Sequence, residues 1–187
     1  MLPLLIVLGV IVLLVVVFVA MYNGLVKLRN RVDSAWSQID VQLQRRHDLI
    51  PNLVETVKGY AAHERETLDA VIQARNTAVN AQGPHDQAQA ENMLTGALRQ
   101  LFALAEAYPD LKANQGFTAL QHRISELENQ IADRREYYND TVTTFNTRIQ
   151  QVPDVVVANW LSFTPEELFK IAASDREDVP IRFSLAG

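Results

Sequence analysis

Residues 2–20 carry the sequence LPLLIVLGVIVLLVVVFVA, in which no side chain is charged or strongly polar, and Met21 extends this apolar run. About 20 apolar residues are needed to cross a hydrocarbon layer of about 30 Å, so the run predicts a transmembrane helix. A cleavable signal peptide is the rival interpretation, but it would have a basic start, a shorter apolar core and a small-x-small cleavage site. We therefore expect a retained single-pass anchor over residues 1–22.

The charges beside the anchor predict its orientation. Lys27, Arg29 and Arg31 follow the run closely, whereas only the terminal amine precedes it. Because basic residues favour the cytoplasmic side, we expect the N-terminus outside and the soluble domain in the cytoplasm.

An apolar stripe continues beyond the anchor with a spacing of about 3.67 residues, the period of a nearly straight amphipathic helix. The stripe extends to Ile72, and Asn80-Ala81-Gln82-Gly83-Pro84 is typical of a helix end. The sequence therefore predicts one continuous helix over residues 2–81. Pro51 removes one backbone donor inside it, for which we expect a bend rather than a break.

The remaining chain predicts further helices, namely 86–107, a third of about 35 residues ending near Val152-Pro153-Asp154, and short helices at 155–161 and 165–173. Ile124, Ile131, Tyr138, Phe145 and Val152 recur every seven residues along the third helix, as expected of a seam that faces other helices. The predicted fold class is all-α, with an N-terminal transmembrane helix continuous with a long helix and an antiparallel bundle of three or four long helices. The expected divisions are the anchor (1–22), a helical stalk (23–45), the bundle domain (46–174) and a C-terminal tail (175–187).

The predicted lengths of the helices indicate that the stalk is exposed. A first helix ending near residue 81 would extend roughly 90 Å from the membrane, and the returning helices would cover only its distal part at about 1.5 Å per residue. The uncovered apolar residues would form an interface with another copy or another membrane protein. These expected interface residues are Leu25, Leu28, Val32, Trp36, Ile39 and Leu43.

A charged group interrupts the stripe at Arg45, Arg46, His47 and Asp48. It has two interpretations, a docking patch or hinge on the long helix, and a local ion-pair cluster at the boundary of stalk and bundle. We also expect Trp160 to close the distal core.

Composition argues against several classes of function. Lys and Arg number 17 against 22 Asp and Glu, so no basic surplus is available for nucleic acid. Cysteine is absent, which removes thiolate chemistry and Cys-ligated metals. His63-Glu64-Arg65-Glu66-Thr67 begins like the HExxH zinc motif but ends in threonine, and no Glu-x-x-His pair occurs for a di-metal site. We expect no catalytic residues, metal or cofactor.

The stretch YNGLVKLRNRVDSAWSQIDVQLQRRHDLIPNLVETVKGYAAHE at 22–64 resembles the LemA family. The likeness continues through residues that the family also carries, namely Glu91-Asn92, the run from Tyr108 to Asn114, Phe117, Leu120, Gln121, Arg134, Tyr138-Asn139, Phe145-Asn146, Pro153, Phe163 and Phe169. The resemblance implies a bundle of long helices behind one N-terminal anchor, with a short outer N-terminus, in bacterial membranes, and we expect the inner membrane. It implies no catalytic residues.

Three functions follow as hypotheses. The first is a non-enzymatic scaffold that contacts membrane lipid, assembles into a homo-oligomer and organises or curves the membrane. The second is an adaptor for another membrane protein, such as a protease or an envelope-stress component. The third, an enzyme or small-ligand binder, has little support because the titratable residues do not converge.

Overall fold

A computed structural model of the protein describes residues 1–169. Within this part of the chain all regular structure is helical, in six helices: α1 (Leu2–Lys58), α2 (Arg65–Asn80), α3 (Gly83–Ala105), α4 (Pro109–Lys112), α5 (Gln115–Arg148) and α6 (Asp154–Trp160). The predicted all-α class is therefore confirmed. The predicted tail at 175–187 lies outside the described residues.

The apolar run and the first soluble helix form one element. α1 has 57 residues, and it begins to contribute buried side chains to the bundle at Leu25. Its apolar stretch is long enough to cross a membrane, and none of its 18 most apolar consecutive residues is buried by another described part of the chain. Pro51 lies inside the helix, as predicted. The carbonyl of His47, which Pro51 cannot bond, accepts instead a hydrogen bond of 2.9 Å from Nε of Arg75.

The prediction that this helix continues to residue 81 is wrong. α1 ends at Lys58, a turn follows, and α2 folds back so that Arg75 meets His47. α2 buries Leu68, Val71, Ala74 and Ala78, so Ile72 of the supposed stripe is largely exposed. The residues assigned to one apolar stripe therefore belong to two stripes, one on α1 and one on α2. Gly59, whose helix propensity is low, lies between the two helices.

α5 is antiparallel to α1 and covers nearly all of its soluble part. Nη1 of Arg134 donates to Oε1 of Gln38 at 2.6 Å, while nearer the distal end Arg46 reaches Glu128 at 3.4 Å. Residues 23–58 of α1 are about 54 Å long and the 34 residues of α5 about 51 Å, at about 1.5 Å per residue. The bare stalk is therefore another wrong prediction, because it assumed a first helix that was too long.

The buried apolar side chains form two clusters along this pair of helices. The distal core unites the far end of α1 with α2, α3, α4 and the start of α5. The proximal core, nearer the membrane, unites α1 with the second half of α5, α6 and the segment after it. Its large buried members include Leu25, Ile39, Leu43, Phe145 and Phe169.

Residues 163–169, which we call the strap, lie over the proximal core without regular secondary structure. The predicted helix at 165–173 is thus wrong over 165–169, and 170–173 lie outside the described residues. The reason is competition for backbone hydrogen bonds. The side chain of Asn146 bonds both the N–H and the carbonyl of Glu166, and that of Asn139 does the same for Phe169. These tertiary bonds replace those that a helix would make.

Candidate functional site

The six stalk residues expected at an oligomer interface lie inside the protomer. Leu25, Val32, Ile39 and Leu43 are buried, and Leu28 and Trp36 pack against the proximal core. The Trp36 ring is 5.4 Å from that of Tyr138 and 5.8 Å from that of Phe169. The expectation of an exposed apolar stripe is corrected accordingly, because α5 and the strap cover it.

The charged group at 45–48 is divided between two environments. Arg45 and Asp48 are exposed, whereas Arg46 and His47 are buried. A docking patch of all four side chains is therefore ruled out by burial. The helix turns about 100° per residue, which places consecutive side chains on different faces.

Arg46 and His47 belong to a buried polar layer between the two apolar cores. Glu91 of α3 is its centre: its carboxylate accepts from Nη2 of Arg46 at 2.5 Å and from Nε2 of Gln87 at 3.0 Å, and lies 2.6 Å from Nε2 of His47. Arg46 also donates to the hydroxyl of Thr95 at 3.2 Å. The members of the polar layer are Arg46, His47, Gln87, Glu91, Thr95 and Glu128.

The polar layer connects three helices at one level. The residues of the polar layer on α1 lie between the two apolar cores. On α1 the proximal core ends at Leu43 and the distal core begins at Ile50. Sliding α3 along α1 would separate the Arg46 guanidinium from Glu91 and so break a buried ion pair, which costs several kcal/mol. We therefore interpret the layer as a device that fixes the helix register. It differs from the local ion-pair cluster of the sequence analysis, because Arg46 and His47 are buried and their acidic partners belong to α3 and α5. Both carboxylate oxygens of Glu91 thus lie within hydrogen-bonding distance of members of the layer.

Nothing in the described residues resembles a metal centre. His63 and Glu64 lie in the turn between α1 and α2, not on a helix, and no group of three potential ligands occurs within residues 1–169. Glu64 instead accepts a hydrogen bond of 3.0 Å from the Tyr108 hydroxyl. That bond, with lesser contributions from burial and from the Glu64 charge, raises the pKa of Tyr108.

Tyr138 joins the strap to the core. Its hydroxyl donates to the carbonyl of Glu167 at 2.8 Å, and its ring packs on Trp36. Burial raises the pKa of Tyr138 to about 12, assisted by the charges of Glu166, Glu167 and Asp33. The phenol is thus a fixed neutral hydrogen-bond donor at neutral pH.

The strap and polar layer depend on residues that sequence reasoning did not assign. Asn139, Asn146 and Glu91 were noticed only for their likeness to a family, and Arg75 was not singled out at all. The sequence contained one signal of the polar layer. His47 is polar but lies at a position where the spacing of the stripe would place an apolar residue. The partner of such a residue lies far away in sequence and cannot be found from periodicity.

The membrane-proximal end contains an aromatic group that joins the span to the soluble part. The ring of Trp160 is 5.2 Å from that of Phe18, and the ring of Phe163 is 6.3 Å from that of Tyr22. Trp160 is largely exposed, so the expectation that it closes the distal core is wrong. The cause is the antiparallel α5, which returns the chain to the membrane before α6 begins.

An open groove runs along α1 and α5 beside the proximal core. Its lining residues, none of which belongs to the strap or to α6, are Ser34, Ser37, Gln38, Val41, Gln42 and Arg134. Oε1 of Gln42 is buried there without a hydrogen-bond partner in the described part of the chain. We call this surface the α1–α5 groove.

Comparison with known proteins agrees with this architecture. Protein LemA of Metamycoplasma hominis is 29% identical over 167 residues, covering 87% of this chain and 75% of the relative. Magnetosome protein MamQ 2 of Paramagnetospirillum magneticum is 28% identical over 189 residues, covering 85% and 70%. The similarity to both, together with the apolar helix, identifies a membrane-associated helical protein. Since the model of the LemA family matches residues 35–183, which include most of the bundle, the chain belongs to the LemA family.

Proposed function

We propose that the protein is a non-enzymatic, single-pass scaffold that assembles with copies of itself and organises or curves the membrane. One observation carries the proposal: α1 continues without interruption from the apolar span through both cores of the bundle. A continuous helix transmits the tilt and rotation of the span to the bundle, so neighbouring copies would meet in a fixed orientation. The similarity to proteins named for the magnetosome supports a membrane-associated role.

Self-assembly has to use a surface other than the buried stalk stripe. The α1–α5 groove is our candidate, because two small serines allow close approach and Val41 is 48% exposed. If the groove of one copy binds a different face of the next copy, the contact repeats as a ring or a filament parallel to the membrane and is therefore suited to shaping it.

The test is the mass of the full chain in mild detergent, measured by light scattering, with electron microscopy of reconstituted vesicles. We expect a multiple of the protomer mass and ordered assemblies on the vesicles. Val41→Glu should reduce the mass. The matched control is Val79→Glu, because Val79 is 50% exposed but lies on α2, away from the groove.

A wild-type protein with the mass of one protomer at all concentrations would refute self-assembly. It would favour the adaptor function, in which the groove binds a different membrane protein such as a protease or an envelope-stress component. Unchanged mass on Val41→Glu, with an oligomeric wild type, would reject the groove as the interface.

We further propose that the bundle lies in the cytoplasm at the bacterial inner membrane. Lys27, Arg29 and Arg31 support this orientation, since they lie just beyond the span. Protease added to right-side-out vesicles should then leave the bundle intact, and protease added to inverted vesicles should remove it.

A further inference from the structure

α6 has one face in the protein and one face outside it. Asp154, Val157 and Ala158 are buried. Val152, Val156 and Trp160, spaced four residues apart, are 84%, 69% and 73% exposed. Val156 and Trp160 are one turn apart on α6 and share its exposed face, which also carries the uncharged Asn159, while Val152 is exposed in the turn just before the helix.

The position of this stripe relative to the span is given by the contact of Trp160 with Phe18, at 5.2 Å between ring centroids. Phe18 belongs to the apolar run and lies about 6 Å to the membrane side of Tyr22, at about 1.5 Å per residue. Trp160 is therefore held beside a part of α1 that itself faces lipid.

Charge is distributed as a lipid contact requires. Residues 155–165 contain no charged side chain. Charges flank this stretch and are paired: Nε of Arg148 lies 2.7 Å from Oδ2 of Asp154, and Nε of Arg29 lies 3.6 Å from Oε1 of Glu166. Contact of residues 155–165 with lipid would therefore transfer no unpaired charge into the membrane.

We propose that α6 and the turn after it lie in the membrane interface, with Val152, Val156 and Trp160 inserted between lipid molecules. Tryptophan is enriched at this depth of the bilayer, and short apolar helix faces bind there by burial. The protein would thus have two lipid contacts, a span and a shallow insertion beside it. This inference does not depend on self-assembly.

The absence of cysteine permits a direct test by site-directed spin labelling of the full chain. Val156→Cys would be labelled and reconstituted in vesicles of equal parts phosphatidylcholine and phosphatidylglycerol. Collisions of the label with oxygen, which concentrates in lipid, and with a water-soluble nickel chelate would be measured by electron paramagnetic resonance. Leu14→Cys in the span provides the lipid reference, and Val79→Cys on α2 provides the aqueous reference.

We expect the label at 156 to collide often with oxygen and rarely with nickel, as at 14 and unlike 79. Adding Trp160→Asp should increase the nickel collisions at 156, with helix content unchanged by circular dichroism. Nickel collisions as frequent as at 79 would overturn the proposal. Protection from both reagents would also overturn it, because it would mean that protein rather than lipid covers α6.

Discussion

Removal of the Glu91 carboxylate should strongly destabilise the bundle. In Glu91→Leu the Arg46 guanidinium remains buried, with the Thr95 hydroxyl and a Glu128 carboxylate at 3.4 Å as its remaining side-chain partners in the polar layer. Breaking a buried ion pair by removing one partner costs about 3–5 kcal/mol. Because Glu128 stays close, we expect a loss in free energy of unfolding of about 3 kcal/mol, at the lower end of that range.

The double variant Arg46→Met with Glu91→Leu distinguishes charge from packing. With both charges gone, no buried ion is left uncompensated, and such replacements are often neutral or stabilising by about 1–4 kcal/mol. We therefore expect the double variant to recover most or all of the stability lost in the single variant. The register would then be less strictly specified, although the free energy of unfolding is high.

The assay is urea denaturation of the full chain in detergent micelles, followed by far-ultraviolet circular dichroism. The control is the exposed pair Arg123 and Glu126, 2.9 Å apart on α5, whose removal should change stability by no more than about 1 kcal/mol. A loss in Glu91→Leu no larger than in Glu126→Leu would refute the reasoning. A double variant less stable than Glu91→Leu would refute it equally, because packing rather than charge would then dominate.

Two further predictions concern the contacts that bind α2 and the strap. Arg75→Met removes the hydrogen-bond donor to the His47 carbonyl, which Pro51 cannot bond. We expect this change to lower the free energy of unfolding by about 1–3 kcal/mol in the same assay. Equal stability of Arg75→Met and wild type would show that the carbonyl finds another partner. For Tyr138, the pKa is 10.0 in the unfolded chain and about 12 in the folded one. The unfolded chain therefore loses the phenol proton first, so the stabilisation is complete below pH 10 and is lost as pH rises through about 12. After allowance for solvent screening this difference is worth about 1–2 kcal/mol, and Tyr138→Phe should lack that part of the alkaline decline. Identical pH profiles of the two proteins would contradict the shift.

Local sequence patterns were sufficient for most element positions. The C-terminal end of α2 and the start of α5 lie at Asn-, Gly- and Pro-containing segments, and the side chain of Asn114 caps α5 by accepting from the N–H of Phe117. α6 was also predicted close to its observed bounds. Such signals depend on backbone propensities of a few adjacent residues, which do not require knowledge of the rest of the fold.

The candidate sites were predicted less well, for a reason that Arg46 and Trp36 illustrate. Trp36 belongs to the apolar stripe, and Arg46 belongs to the charged group that interrupts it. Whether they face water depends on α3, α5 and the strap, which begin tens of residues later. Periodicity states which face of a helix is apolar, but not what covers that face.

The sequence by itself determined that the chain is helical, that its first helix begins with a membrane-crossing run and continues beyond it, and that it resembles the LemA family. Only the tertiary structure decided that α1 ends at Lys58 and that α5 returns to the membrane, which buries the stalk stripe and brings Trp160 beside Phe18. The physical reason is range: helix formation follows from hydrogen bonds and side chains within a few turns, whereas burial follows from contacts between residues as distant as Arg46 and Glu128.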